Sequence, residues 1–130
     1  MTEPVLTIEL AQPQEWPSAN KRYHWARRAE LTRYWRALAA AAAKKNRHGA
    51  TWPLPRCRVV VTLVVPDRRR RDAANYAPTA KAAVDGLVDC GVWPDDTAEF
   101  VVGPDMRIEH TPHRRAIRID VFDLTEGEQA

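Results

Sequence analysis

The stretch CRVVVTLVVPDRRRRDAANYAPTAKAAVDGLVDCGVWPDD, Cys57 to Asp96, passes from a strand pattern through a basic run into a helix pattern. Its first ten residues are nearly continuous in β-branched side chains, as in a central strand covered on one or both faces, and Pro66 ends the run. Pro78 suits the first turn of a helix. Ala80, Ala83, Val84, Leu87 and Val88 then share one side, and Gly91 suits the left-handed position past the helix end. A strand followed at once by a helix predicts an α/β (α+β) domain. The basic run stands just past the strand terminus, the edge where mixed α/β sheets mount functional groups.

Outward from this stretch, VLTIEL alternates Leu6, Ile8 and Leu10 against Thr7 and Glu9, the period of a half-buried strand. Pro13, Pro17 and Asn20 mark a loop rich in tryptophan and basic groups. Helical spacing runs from Glu30 to about Asn46 through Leu31, Tyr34, Trp35, Leu38 and Ala42, and His48-Gly49 supplies the stop. After the turn-forming VWPDDTAE come two candidate strands, FVVGPDMRIEH and AIRIDVFDL, separated by TPHRR. The expected order is β-α-β-α-β-β in a single domain over residues 1–130, a mixed sheet with two helices, and residues 125–130 are expected to fray.

The chain has 130 residues, enough for one modest core, and its 45% hydrophobic content excludes a disordered chain. Lys and Arg number 20 against 17 acidic residues, a net charge of +3 that permits nucleic acid as a partner without requiring it. The charge is uneven, with basic clusters at 21–36, 44–47 and 68–71 and acids at Asp95, Asp96 and Glu99. Two cysteines argue for free thiols rather than a disulfide framework. No apolar run approaches the ~18 residues of a membrane span, and the first residues lack a secretion signal, so the expected compartment is the cytoplasm, with no membrane partner.

Asp72, Asp85, Asp95 and Asp96 come from a strand end, a helix and the loop after it. Carboxylates brought together repel unless protonated or bound to a cation, and hard Mg²⁺ is well served by one or two carboxylates plus water and phosphate oxygens. Beside arginines and Lys81, such a group suits phosphodiester hydrolysis: the metal polarises the phosphoryl oxygen, and the cations stabilise transition-state charge. Taken singly, each feature has a plainer reading. Asp95-Asp96 reads as a solvated turn, Lys81 and Asp85 as a surface i,i+4 pair, and Arg68 to Arg71 as a solvated strand end.

Together, Lys81-Ala82-Ala83-Val84-Asp85-Gly86-Leu87 and Gly91-Val92-Trp93-Pro94-Asp95-Asp96 resemble the K-A-x-x-D-x-L helix and G-x-W-x-D-D turn of the RusA family of Holliday junction resolvases. PSANKRYHWARRAELTRYWR is similar to that family's amino-terminal P-x-x-N-x-x-W-R region. The resemblance implies a Mg²⁺-dependent endonuclease, with Mn²⁺ as a substitute, that cuts branched DNA such as four-way junctions. It implies a homodimer, whose isologous interface would present two equivalent sites to two symmetric strands. Catalytic roles fall to Asp72, Lys81, Asp85 and Asp96, and metal ligation to Asp72, Asp95 and Asp96. DNA contacts fall to Arg68, Arg69, Arg70, Arg71, Asn75, Asn20, Lys21, Arg22, Arg27 and Arg28.

The chain departs from the pattern at one place. The family's D-x-D-N motif at a strand end reads Asp72-Ala73-Ala74-Asn75 here, so Ala74 stands at its second aspartate, and three extra residues separate Asn75 from Lys81. Asp85 or Asp95 is then the substitute ligand; the alternative is a branched-DNA-binding protein that no longer cleaves. His110 and His113 read as a turn rather than a metal pair. The five tryptophans read as packing, except that Trp25, interleaved with Lys21, Arg22, Arg27 and Arg28, could stack an unpaired base.

Overall fold

A computed structural model describes residues 3–11, 16–19, 21–22 and 24–125. The elements follow the expected order: β1 (Leu6–Ala11), α1 (Trp25–Lys45), β2 (Cys57–Val65), α2 (Ala77–Asp89), β3 (Val101–His110) and β4 (Ala116–Asp123). A short 3₁₀ turn, Ala73–Tyr76, leads into α2. The expected fraying at the carboxyl end and the proposed role of Asn20 lie outside the described residues, apart from Thr125.

The four strands form one mixed sheet in the order β1-β4-β2-β3. β4 runs antiparallel to both β1 and β2, and β3 runs parallel to β2. Hence β1, β2 and β3 all point one way, and their carboxyl ends share an edge with the start of β4. The alternating residues Leu6, Ile8 and Leu10, Val59, Val61 and Leu63, and Ile117, Ile119 and Val121 form one core with Trp35, Ala39 and Ala43 of α1 and Ala80, Ala83, Val84 and Leu87 of α2. Both helices therefore cover the same face. Along the other face runs a charged lattice: Arg58 to Asp105 (2.7 Å), Arg118 to Glu109 (2.9 Å) and Thr7 to Asp120 (2.8 Å).

α1 starts at Trp25, a full turn before the expected Glu30. The side chain of His24 accepts a hydrogen bond from the Ala26 amide (3.2 Å) and so serves as a cap that the usual Ser, Thr, Asp or Asn signal does not reveal. Arg27 and Arg28 are consequently helical. Leu31, Trp35, Ala39 and Ala43, spaced by four, are the buried stripe.

α2 buries Thr79, Ala80, Ala82, Ala83, Val84, Gly86 and Leu87, more than one stripe, because α1 and the sheet both press on it. At Gly86 the helices nearly touch: a Cβ there would stand 2.2 Å from the Arg36 carbonyl oxygen. Arg36 adds a forked ion pair to Asp89, with Nη2 to Oδ1 at 2.8 Å. That contact holds the Asp89 carboxyl below the usual range.

β3 carries one extra residue opposite β2, where the pairing steps from Arg58↔Val102 to Val60↔Asp105. Gly103, at φ +106°, sits in this bulge, and a Cβ would meet the Val59 carbonyl at 2.7 Å. A bulge in an edge strand also discourages strand addition. Both cysteines are free, as expected. Cys57 is buried and its thiol is pushed up to about 11 by desolvation, so it stays protonated at neutral pH. Among the described residues no helix is long and apolar enough to cross a membrane.

Candidate functional site

The carboxyl ends of β1, β2 and β3 lie at one edge of the sheet, where β1 closes at Ala11, β2 feeds the segment from residue 66 and β3 feeds the segment from residue 111. The segment after β2 carries the four arginines. It is organised by Asp67, which the sequence reading passed over. The Asp67 carboxylate accepts from the Arg69 amide (2.9 Å) and holds the Arg71 guanidinium with both oxygens (2.8 and 3.3 Å). Arg71 above all, then the Arg69 amide, keep the Asp67 carboxyl far below the usual range. The stabilisation from this contact is therefore present above the ordinary carboxylate pKa and is lost as pH falls through the depressed value.

The arginines thus divide by role. The Arg71 side chain is only 7% exposed and committed to Asp67, whereas that of Arg69 is 78% exposed. Arg68 and Arg70 are exposed and have no ion pair among the described residues. Asp72 caps the 3₁₀ turn, its Oδ1 accepting from the Ala74 amide (3.1 Å). Ala74, at the departure from the family pattern, therefore contributes a backbone donor. The Asn75 carbonyl accepts from the Ala19 amide (2.7 Å) and the Pro17 carbonyl accepts from the buried Thr79 hydroxyl (2.7 Å), which tie residues 16–19 to the start of α2.

α2 and the turn after it build the second group. Lys81 and Asp85 meet one helical turn apart (2.9 Å), and the Asp96 carboxylate bonds the same ammonium from the other side. Arg36 of α1 approaches Asp85 at 4.0 Å, so Asp96, Lys81, Asp85, Arg36 and Asp89 form an alternating chain of charge. Asp96 first, then Asp85, raise the Lys81 pKa, and Lys81 in turn lowers that of Asp96. Lys81 is thus a fixed cation at neutral pH, suited to stabilising anionic charge and unsuited to accepting a proton. Its side chain remains 61% exposed and open to a ligand.

Three motif residues, Lys81, Asp85 and Asp96, are therefore brought together. Asp95 turns one carboxylate oxygen to the Asp96 amide (2.7 Å). Asp72 lies at the other end of the 3₁₀ turn, at most roughly 16 Å from Lys81 at ~2.0 Å per residue there and ~1.5 Å in the helix. Among the described residues no three His, Cys, Asp or Glu side chains gather in a metal-holding group. By chemical type Asp96 and the second carboxylate oxygen of Asp72 are ligands for a hard cation, which one or two carboxylates with substrate oxygens suffice to hold. They do not form a closed cage made by the protein.

The amino-terminal candidates divide in the same way as the arginines. Arg28 donates to the carbonyls of Ser18 (3.3 Å) and Lys21 (3.1 Å), so it holds the loop, and Arg27 pairs with Glu30. Lys21 and Arg22 are exposed. Trp16, Trp35 and Trp93 are buried as packing residues, whereas Trp25 is 77% exposed beside His24. His110 and His113 flank the β3–β4 turn, as expected. Scanned against protein-family models and against curated proteins, the chain matches none.

Proposed function

We propose that this chain is a Mg²⁺-dependent endonuclease of RusA type that cuts branched DNA, acting as a homodimer on four-way junctions. The observation that carries the reading is the Lys81 ammonium held between Asp85 and Asp96, three residues of the two motifs that resemble that family. A cation fixed in a frame of carboxylates, next in sequence to a strand end that presents exposed Arg68, Arg69 and Arg70, is chemistry for binding and splitting a phosphodiester.

In this reading Asp96 and Asp72 would hold Mg²⁺, which when bound supplies Lewis-acid polarisation of the phosphoryl oxygen and a more acidic water. Lys81 binds a non-bridging oxygen and offsets the charge that grows there. Asp85, anchored by Arg36, fixes the direction of the lysine. Arg68 and Arg70 hold flanking phosphates and offset the repulsion between the carboxylates and DNA.

The test is cleavage of a labelled four-way junction against a linear duplex, in Mg²⁺, in Mn²⁺ and in EDTA. Nicking confined to the junction and abolished by EDTA is expected. Selective junction binding without nicking in either metal would replace the reading with a non-catalytic branched-DNA-binding protein. The arginine roles predict a further contrast. Arg68→Ala and Arg70→Ala should each lower the slope of log K against log salt by about 0.9, whereas Arg71→Ala should mainly loosen the 67–71 segment. Equal slopes for all three variants would show that the exposed arginines face away from DNA.

A further inference from the structure

Outside the Lys81 group, a second set of cations lies where β2 ends against the start of β4. Ala116 pairs with Val64 on one side and with Ala11 on the other, so Arg115 stands at the end of β2, beside the segment that carries the arginines. Its guanidinium lies over the Trp16 ring, 4.2 Å from the centroid. Trp16 is only 2% exposed and meets Tyr76 edge-on at 5.8 Å, so it forms a rigid floor.

The neighbouring Arg114 is neutralised by Glu9, but Arg115 has no carboxylate in ion-pair range among the described residues. Burial and the nearby Arg71 and Arg69 cations push its pKa down. Asp67 pairs with Arg69 and Arg71 and leaves Arg115 without a partner carboxylate, and an excess of cations at one edge is relieved by an arriving anion. A cleft of about 300 Å³, lined by Glu9, Ala11 and His113 to Ala116, opens at Arg115.

We propose that Arg115 and Arg69 clamp a backbone phosphate of DNA, with Trp16 as the floor that holds the Arg115 fork in place. A guanidinium stacked on an aromatic face is already ordered, so it loses little side-chain entropy when it binds, and its planar donors match phosphate oxygens. The exposed Arg68 and Arg70 continue the same basic row, which suits a polyanion of regularly spaced charges. The clamp deepens the nucleic-acid reading of this edge and rests on it.

The experiment measures binding of a short fluorescent duplex in EDTA, across a salt series, for wild type and for Arg115→Ala, Arg115→Met and Arg115→Lys. Arg115→Met keeps an aliphatic cover over Trp16, so it separates charge from packing. Ala and Met are expected to weaken binding about tenfold and to lower the salt slope by about 0.9, while Lys retains the slope with a smaller loss of affinity. Wild-type slope and affinity in Arg115→Met, or no duplex binding by the wild-type chain, would overturn the clamp. Because no cleavage occurs in EDTA, a chain that binds through Arg115 yet never nicks a junction in Mg²⁺ would sink the endonuclease reading and leave the clamp standing.

Discussion

Asp96→Asn is expected to lower junction cleavage by at least ~10²-fold while leaving DNA binding equal or tighter. The two halves of that expectation have one cause, the loss of a negative charge facing the substrate. Asn keeps the size of the side chain, but it no longer attracts the Lys81 ammonium or a hard cation. Lys81 loses the larger of the two influences that raise its pKa, yet it stays protonated at neutral pH, so the damage is to its position and not to its charge. Binding improves or holds because a carboxylate that repels phosphate has gone.

The pH profile adds an independent check. Wild-type cleavage should fall on the acid side as Asp96 protonates, at a pH below the ordinary carboxylate range because Lys81 depresses its pKa. Lys81 should impose no alkaline limb within the ordinary lysine range, since Asp96 and then Asp85 raise its pKa. Asp85→Asn should cost less than Asp96→Asn, because Asp96 still holds the ammonium. Cleavage rates for the three proteins on one labelled junction decide the matter; undiminished nicking by Asp96→Asn would remove Asp96 from the site.

The sheet strands and α2 were legible because their chemistry is local. Leu6, Ile8 and Leu10 alternate, as do Ile117, Ile119 and Val121, and Pro78 marks a helix start without reference to anything distant. The first turn of α1 was not, since Trp25 lies exposed, breaks the apolar period, and follows a histidine cap. Strand pairing was also hidden: β4 inserts between β1 and β2, and nothing in AIRIDVFDL names its partners. That insertion is what carries Arg115 to the arginine run, so a residue read as part of a turn becomes part of a basic edge. Conversely Arg71 and Arg28, assigned to DNA contacts by the resemblance, are engaged by Asp67 and by loop carbonyls. The Lys81, Asp85 and Asp96 group was legible as far as motif spacing goes, the helical i,i+4 step and the following turn. The place of Asp72 relative to it depends on the 3₁₀ turn Ala73–Tyr76, which motif spacing does not announce.

Gly86→Ala is expected to destabilise the fold by about 3 kcal/mol, the upper end of overpacking, and to lower the unfolding midpoint by roughly 10 °C. The added methyl would meet the Arg36 carbonyl oxygen at 2.2 Å, and since the carbonyl is helical backbone and a Cβ is fixed by its own backbone, no rotamer change can relieve the clash. The helices must separate, and this strains the Arg36 contacts to Asp89 and Asp85 that set the rotation of α2. Lys81 sits one turn from Asp85 on the same helix, so junction cleavage should fall further than the loss of folded protein explains. Gly91→Ala is the control: Gly91 has φ +97° but no atom within 4 Å of an added Cβ, so only the backbone strain of about 1 kcal/mol applies. Thermal unfolding of the two variants beside wild type ranks the effects. A Gly86→Ala chain that melts with wild type, or above Gly91→Ala, would mean that the two helices do not cross at this contact, and the support for Asp85 through Arg36 would fall with it.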